Sequence, residues 1–153
     1  MKGFWVQSIP IVPLGEANLD AAANILSRAY SAPPWNEDWS AEAATERVSQ
    51  LLAAPRRIAA AALDAVQPVG FAIGTWRRHH KGQLLYVEEI AVLPEAQGAG
   101  VGTALLAAIT DAARKAGCER IWLVSQRVGK VSDFYRRNGF VTSDHLDVYT
   151  KMS

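Results

Sequence analysis

Val92-Leu93-Pro94-Glu95-Ala96-Gln97-Gly98-Ala99-Gly100-Val101-Gly102-Thr103 is the stretch whose reading decides the fold. An apolar run stops at Pro94, glycines recur at 98, 100 and 102, and helical spacing of apolar residues starts at once, with Val101, Leu105, Ala108, Ile109 and Ala112 on one face. The stretch therefore reads as strand, loop and helix. Glycines let a backbone approach a ligand closely, and the first amides of a helix have no acceptor within it. Together they suit an anion, above all a pyrophosphate. Thr103 offers a hydroxyl at the helix start, and Gln97 is placed to hold the loop or to reach a phosphate through its amide. Two nucleotide fingerprints do not fit. A dinucleotide-binding pattern begun at Gly98 needs glycine or alanine where Thr103 stands, and one begun at Gly100 needs it at Leu105. A Walker loop needs lysine after its last glycine, whereas Gly102 is followed by Thr103-Ala104.

Upstream of this stretch, Phe4 to Val12 reads as a first strand and Glu16 to Tyr30 as a helix, with Leu19, Ala22, Ala23, Leu26 and Ala29 at helical spacing. Ser31-Ala32-Pro33-Pro34 breaks it. Ser40 has the hydroxyl of an N-cap and opens a second helix to about Leu52. Ile58–Leu63, Val69–Trp76 and Leu84–Leu93, separated by turns at Asp64–Pro68 and at the basic run before Gly82, form an antiparallel meander. Downstream of the glycine loop, the long helix stops at Gly117, Ile121–Val124 is a buried strand, Val131–Arg137 is a short helix, and Phe140–Lys151 supplies a final strand or hairpin. The order is that of one mixed α/β domain spanning residues 1–153, its central sheet mostly antiparallel and flanked by helices.

Composition bounds the function. Sixteen Lys and Arg against fifteen Asp and Glu leave a net charge of +1, so no global field draws in nucleic acid or a membrane surface. Cys118 is the single cysteine, so no disulfide forms within the chain, and the start at Met1-Lys2-Gly3-Phe4-Trp5 lacks the apolar core of a signal peptide. The expected location is the cytoplasm. The apolar run from Ile58 to Leu63 is stopped by Asp64 and is far too short to span a bilayer. Arg77-Arg78-His79-His80-Lys81 reads as a solvated hairpin end rather than a nucleic-acid or metal site, because no cysteine or acid stands at ligand spacing. No metal is expected.

The segment Gln97-x-x-Gly100-x-Gly102 resembles the coenzyme A loop of the GNAT superfamily of N-acetyltransferases. Two further elements of that family stand in the right order: Ile90-Ala91-Val92-Leu93-Pro94 before the loop and Phe134-Tyr135-Arg136-Arg137-Asn138-Gly139-Phe140 after it. The resemblance covers nearly the whole chain. It implies acetyl-coenzyme A as donor, in a cleft between the fourth and fifth strands, held by Ile90, Ala91, Val92, Gln97, Gly98, Ala99, Gly100, Val101, Gly102, Thr103, Phe134 and Tyr135. Backbone amides around Ile90 to Val92 would polarise the thioester oxygen. The chain departs from the family at Val128, seven residues before Tyr135, where many members carry an asparagine; Gln126 or Ser125 would have to supply that contact.

An alkyl ammonium is only about one part in two thousand free amine at pH 7, so acetyl transfer benefits from a base. Glu88 and Glu89 are the candidates, and as neighbours on a strand they are expected to face opposite sides, so that only one looks into the cleft. Glu88 matches the position at which some small-molecule members carry a carboxylate; the alternative for either is an exposed ion pair. Tyr135 matches the family tyrosine beside the coenzyme sulfur, where it would protonate the departing thiolate, although Phe134-Tyr135 could also simply pack a short helix. Trp35, Glu37 and Asp38, in the loop between the first two helices, suit a cationic amine or alternatively pin and cap that loop. Trp76 and Tyr86 either line the same cleft or belong to the core. The expected reaction is acetyl transfer to a primary amine of a small molecule by direct attack in a ternary complex. A protein lysine or N-terminus as acceptor, or a coenzyme A-binding sensor without chemistry, are the alternatives.

Overall fold

The structure, a computed structural model, describes residues 8–153, and by its contacts the chain divides into two compact units, one ending at Leu123 and the other formed by Val124–Ser153. The described part of the first unit runs β1 (Ile11–Pro13), α1 (Leu19–Ser31), α2 (Ala41–Leu52), β2 (Arg57–Asp64), β3 (Gln67–His79), β4 (Gly82–Val92), α3 (Val101–Lys115) and β5 (Cys118–Trp122), with a 3-10 turn before α1 and another after β4. The strands form one five-stranded sheet in the order β1-β2-β3-β4-β5. Neighbours are antiparallel except β4 and β5, which are parallel. The first strand expected over Phe4 to Val12 is thus shorter and later, and its first four residues lie outside the described part.

The helices form where the spacing of small apolar residues gives each a buried stripe. α1 buries Ala22, Ala23, Ile25, Leu26 and Ala29, and α2 buries Ala44, Val48, Leu51 and Leu52. Ser40 caps α2 as its hydroxyl accepts from the Ala43 N–H at 3.0 Å, an arrangement worth about 1 kcal/mol. Both helices join one core with Ala61, Phe71, Ile73, Ala91 and Leu93 from the sheet. Phe71, Ile25 and Leu26 are fully buried, and truncating Phe71 to alanine would cost about 3–5 kcal/mol. α3 covers the opposite face, where Val101 and Leu105 close over Gly70. The alanine run of β2 is small enough for helices to pack on both sides.

Two departures position the site. Pairing of β3 with β4 runs Ile73↔Glu89 and then Gly74↔Val87, leaving Glu88 as an extra residue, a β-bulge. Gly74 permits it: a Cβ there would stand 3.0 Å from the Tyr86 carbonyl and 2.8 Å from Leu85 Cδ1. At the other edge of β4, pairing with β5 stops at Tyr86↔Trp122, so Val87–Val92 have no strand beside them among the described residues. β3 also reaches further than expected: Arg77, Arg78 and His79 pair with Leu84, Gln83 and Gly82, and only His80 and Lys81 form the turn. The fifth strand lies over Cys118–Trp122 rather than Ile121–Val124.

The second unit contains one helix, α4 (Lys130–Arg137), and no strand among its residues. The final strand or hairpin expected over Phe140–Lys151 is therefore absent. Its local chemistry competes with a ladder: Ser143 Oγ accepts from the Leu146 N–H at 3.2 Å and Asp147 Oδ1 from the Val148 N–H at 2.8 Å.

Candidate active site

The glycine loop has the geometry of an anion cradle. Gly98 and Gly100 take positive φ of 80° and 83°, a left-handed backbone that costs other residues about 1–2 kcal/mol. Gly100 is the N-cap of α3, and no side chain caps the helix. The first amides of α3 accordingly have no acceptor inside the helix, and a Cβ on Gly98 or Gly100 would meet open space. Gln97 Nε2 donates to the Val92 carbonyl at 3.1 Å, so of its two expected roles Gln97 takes the one of holding the loop to the strand. Arg28 grips Glu95 through two bonds of 2.9 and 2.8 Å, tying α1 to the turn that leads into the loop. That guanidinium holds the exposed Glu95 carboxyl below its usual range. Thr103 sits exposed in the first turn of α3. These residues fit a pyrophosphate: amides at a helix start, glycines where the approach must be close, and no carboxylate in the cradle.

Ile90, Ala91 and Val92 form the end of β4 that has no strand beside it. The Leu93 N–H donates to Val69 on the β3 side at 2.8 Å. By the alternation of a pleated strand, the N–H groups of Val92 and Ile90 point to the other edge, which is open. Two donors thus project from the strand just before the cradle.

The carboxylates overturn the expectation that Glu88 and Glu89 face opposite sides. The bulge at Glu88 breaks the alternation, and both reach the guanidinium of Arg47 on α2. Arg47 Nε donates to Glu89 Oε1 at 3.1 Å, and Arg47 Nη2 lies 3.5 Å from Glu88 Oε2. Glu88 also accepts from the Thr75 hydroxyl at 3.0 Å, and Glu89 from the Tyr30 hydroxyl at 2.8 Å. The Tyr30 oxygen lies 3.1 Å from the Ile90 carbonyl as well. Glu89 is the deeper of the two, with 12% of its side chain exposed against 22% for Glu88. Burial pushes the Glu89 carboxyl up, and the hydrogen bonds from Tyr30 and Arg47 oppose that rise. Nearby, burial and then Glu88 push the Tyr86 phenol up while Arg77, whose guanidinium lies 5.7 Å from the ring centroid, pulls it down. Trp76, paired with Leu85, stands on the opposite face of the sheet from Thr75 and Tyr86, with Arg56 over its ring at 5.3 Å.

The loop between α1 and α2 is brought to the same place in part. Trp35 packs edge-on against Tyr30 with centroids 5.3 Å apart. Glu37 accepts from the Trp39 indole at 2.7 Å and lies near enough to Glu89 to act on its charge. Asp38 is exposed in this loop, and nothing draws it to Glu88 or Glu89. Tyr30, Arg47 and Thr75 belong to the cluster and were not singled out from the sequence. Only Tyr30 gave any hint there, as an aromatic residue at the end of a helix beside Pro33-Pro34-Trp35.

In the second unit, Tyr135 is half-buried on α4 between two rings, with centroids 5.1 Å from Phe134 and 5.7 Å from Phe140. The Phe140 N–H donates to the Tyr135 carbonyl at 3.0 Å, closing the helix end over Asn138-Gly139. Val128, where an asparagine would stand, is exposed. The Ser125 hydroxyl is buried without a hydrogen-bond partner among the described residues, and Gln126 is exposed.

Elsewhere, burial pushes the Cys118 thiol up, which keeps it protonated and inert. Partial burial, and then the neighbours His80, Arg120, Lys81 and Arg78, push His79 down. Among the described residues no group of three His, Cys, Asp or Glu side chains is placed to hold a metal, and no helix is long and apolar enough to cross a membrane.

Comparison with known proteins agrees with this geometry. The aminoglycoside N-acetyltransferase AAC(6')-Iy, solved with a bisubstrate analogue of coenzyme A and acetylneamine, superposes with a TM-score of 0.74 at 20% identity, over 96% of this chain and 100% of that one. An aminoglycoside acetyltransferase from an uncultured soil metagenomic sample, in complex with sisomicin, gives 0.73 at 18% identity, over 95% and 97% of the two chains. A ribosomal-protein-alanine N-acetyltransferase from Brucella melitensis gives 0.76 at 18% identity, over 95% and 100%. At these identities the likeness is one of fold. The sequence signature described as the acetyltransferase (GNAT) family matches residues 19–140, from the first residue of α1 to Phe140. Strands β2 to β5 and the glycine cradle at the start of α3 thus stand within a matched sequence, and the chain belongs to the acetyltransferase (GNAT) family, a family of acyltransferases.

Proposed function

We propose that the protein transfers an acetyl group from acetyl-coenzyme A to a primary amine of a small molecule, by direct attack in a ternary complex. The observation that carries this reading is the layout of β4. One strand bears the carboxylate pair at Glu88 and Glu89, then the open edge at Ile90 and Val92, then the uncapped helix start behind Gly100. A base, two amide donors and a phosphate cradle therefore follow one another along β4 and the loop that leads from it into α3, in the order a thioester and an attacking amine require.

In this reading the amides of Gly98 to Thr103 hold the pyrophosphate, which brings the thioester of the donor along the edge of β4. The Ile90 and Val92 N–H groups then meet its oxygen. Glu88, the less buried carboxylate, takes the proton of the acceptor ammonium directly or through one water, and Thr75 and Arg47 fix its orientation. Glu89, deeper and bonded to Tyr30, supports that position rather than reaching the acceptor. Trp35 and Glu37 give the acceptor side an aromatic face and a third carboxylate. Tyr135 gives its phenolic proton to the departing thiolate, and no tuning is needed because a phenol is almost fully protonated at pH 7. The orphaned Ser125 hydroxyl fits the donor contact that Val128 cannot make.

Release of thiol from acetyl-coenzyme A, measured across monoamines, amino acids, polyamines, aminoglycosides and peptides, tests the reading. Turnover of one of the small amines is the expected result. Binding of acetyl-coenzyme A with no release for any acceptor would sink it in favour of a sensor, and turnover confined to peptides would move the acceptor to a protein.

A further inference from the structure

The acceptor-side carboxylates already have a cation of their own. Arg47 lies between them, Nε toward Glu89 at 3.1 Å and Nη2 toward Glu88 at 3.5 Å, with a third of its side chain exposed. We propose that Arg47 is a specificity-determining residue: its guanidinium offsets part of the charge of the Glu88–Glu89 pair and so selects acceptors of low positive charge, single amines or zwitterions, over polycations. This rests on the acetyl-transfer reading above.

Charge around the pair is offset in part. Arg47 and Arg77 both act on the Tyr86 phenol from one sign, Glu88 and Glu89 from the other. Glu37 is the remaining acid near Glu89, and its Oε1 is engaged by the Trp39 indole. A polycation gains affinity from unpaired negative charge, and here its further ammonium groups would meet guanidinium instead. A single amine asks less. It needs only Glu88, to which Arg47 makes the longer of its two contacts, and it leaves the shorter Arg47–Glu89 bond intact. Arg47 Nη1 has no partner among the described residues, so a carboxylate carried by the acceptor has a donor waiting for it. Arg47 is also well placed to keep this role, because its neighbour Val48 is fully buried and anchors that turn of α2 in the core. Removing the guanidinium leaves two partly buried carboxylates uncompensated, and they must then recruit a proton or an outside cation.

The test compares wild type, Arg47→Gln and Arg47→Lys, each as the full chain, in thiol release with a monoamine, an α-amino acid and spermine. Calorimetry of spermine binding to the coenzyme A-loaded protein runs alongside. Wild type is expected to favour the monoamine over spermine in kcat/KM. In Arg47→Gln the ratio of spermine to monoamine should rise about tenfold, mainly through KM, with tighter spermine binding to match, while Arg47→Lys keeps the wild-type ratio. A ratio that does not move in Arg47→Gln, or one that moves equally in Arg47→Lys, would overturn the proposal and leave Arg47 a structural brace. So would a wild type that prefers spermine. Calorimetry separates the two readings: tighter spermine binding in Arg47→Gln without any turnover overturns acetyl transfer and upholds the charge selection.

Discussion

At the end of β4 the loop Gln97–Gly102 offers backbone amides and few side chains, whereas Glu88 and Glu89, a few residues earlier on the strand, are held by Tyr30, Arg47 and Thr75. The first region leaves its helix start uncapped by any side chain. The second satisfies itself in advance with a hydroxyl and half a guanidinium for each carboxylate. In the proposed reaction the contrast matches what each would recognise: a pyrophosphate is the same in every turnover and can be met by fixed dipoles, while an acceptor is chosen by charge and shape that side chains alone can set.

That contrast can be broken from either end. Glu88→Gln, which keeps the shape and removes the base, should lower kcat by about a hundredfold or more with the KM for acetyl-coenzyme A unchanged, read in steady-state thiol release. A fall in donor affinity instead would mean that the two regions are not separate. Gly100→Val should do the converse. A β-branched residue at φ 83° strains the loop, and the KM for acetyl-coenzyme A is expected to rise about tenfold with the acceptor KM little changed. The smallest effect sharpens the difference within the carboxylate pair. Burial holds a proton on Glu89 more tightly in the fold than in the unfolded chain. The native state therefore binds more protons between the ordinary glutamate pKa and the raised value, so this contribution is fully present below that window and is lost as pH rises through it. Urea unfolding across pH should show that decline in wild type and a flatter profile in Glu89→Gln; identical profiles would mean that Glu89 ionises in the fold as it does in water.

The glycine loop was legible in the sequence because its pattern is local. Glycine positions, a helix start and a proline after a strand all lie within a dozen residues, and the structure adds only that Gln97 braces the loop. The carboxylate cluster was half legible. Glu88 could be picked out, but Arg47 and Tyr30 come from helices distant in sequence, and no local pattern says which charged face of α2 turns toward a strand it does not adjoin. Glu89 was misread for a physical reason. Strict alternation assumes an unbroken ladder, and Gly74, on another strand, is what lets the ladder slip. The final strand failed similarly: Phe140–Lys151 has suitable apolar residues, but Ser143 and Asp147 spend their oxygens on nearby amides. For Tyr135 the sequence gave its helix and its aromatic neighbours correctly.

The slip opposite Gly74 also governs how the strand tolerates change. β4 is written in two phases: from Gly82 to Val87 and from Glu89 to Val92 the same parity of residue number means opposite faces. A substitution scheme that assumes one phase would be right on one side of Glu88 and would exchange the two faces of the strand on the other. Deleting Glu88 would merge the two phases into one, because Val87 and Glu89 already stand opposite Gly74 and Ile73 as successive residues of an unbroken ladder would.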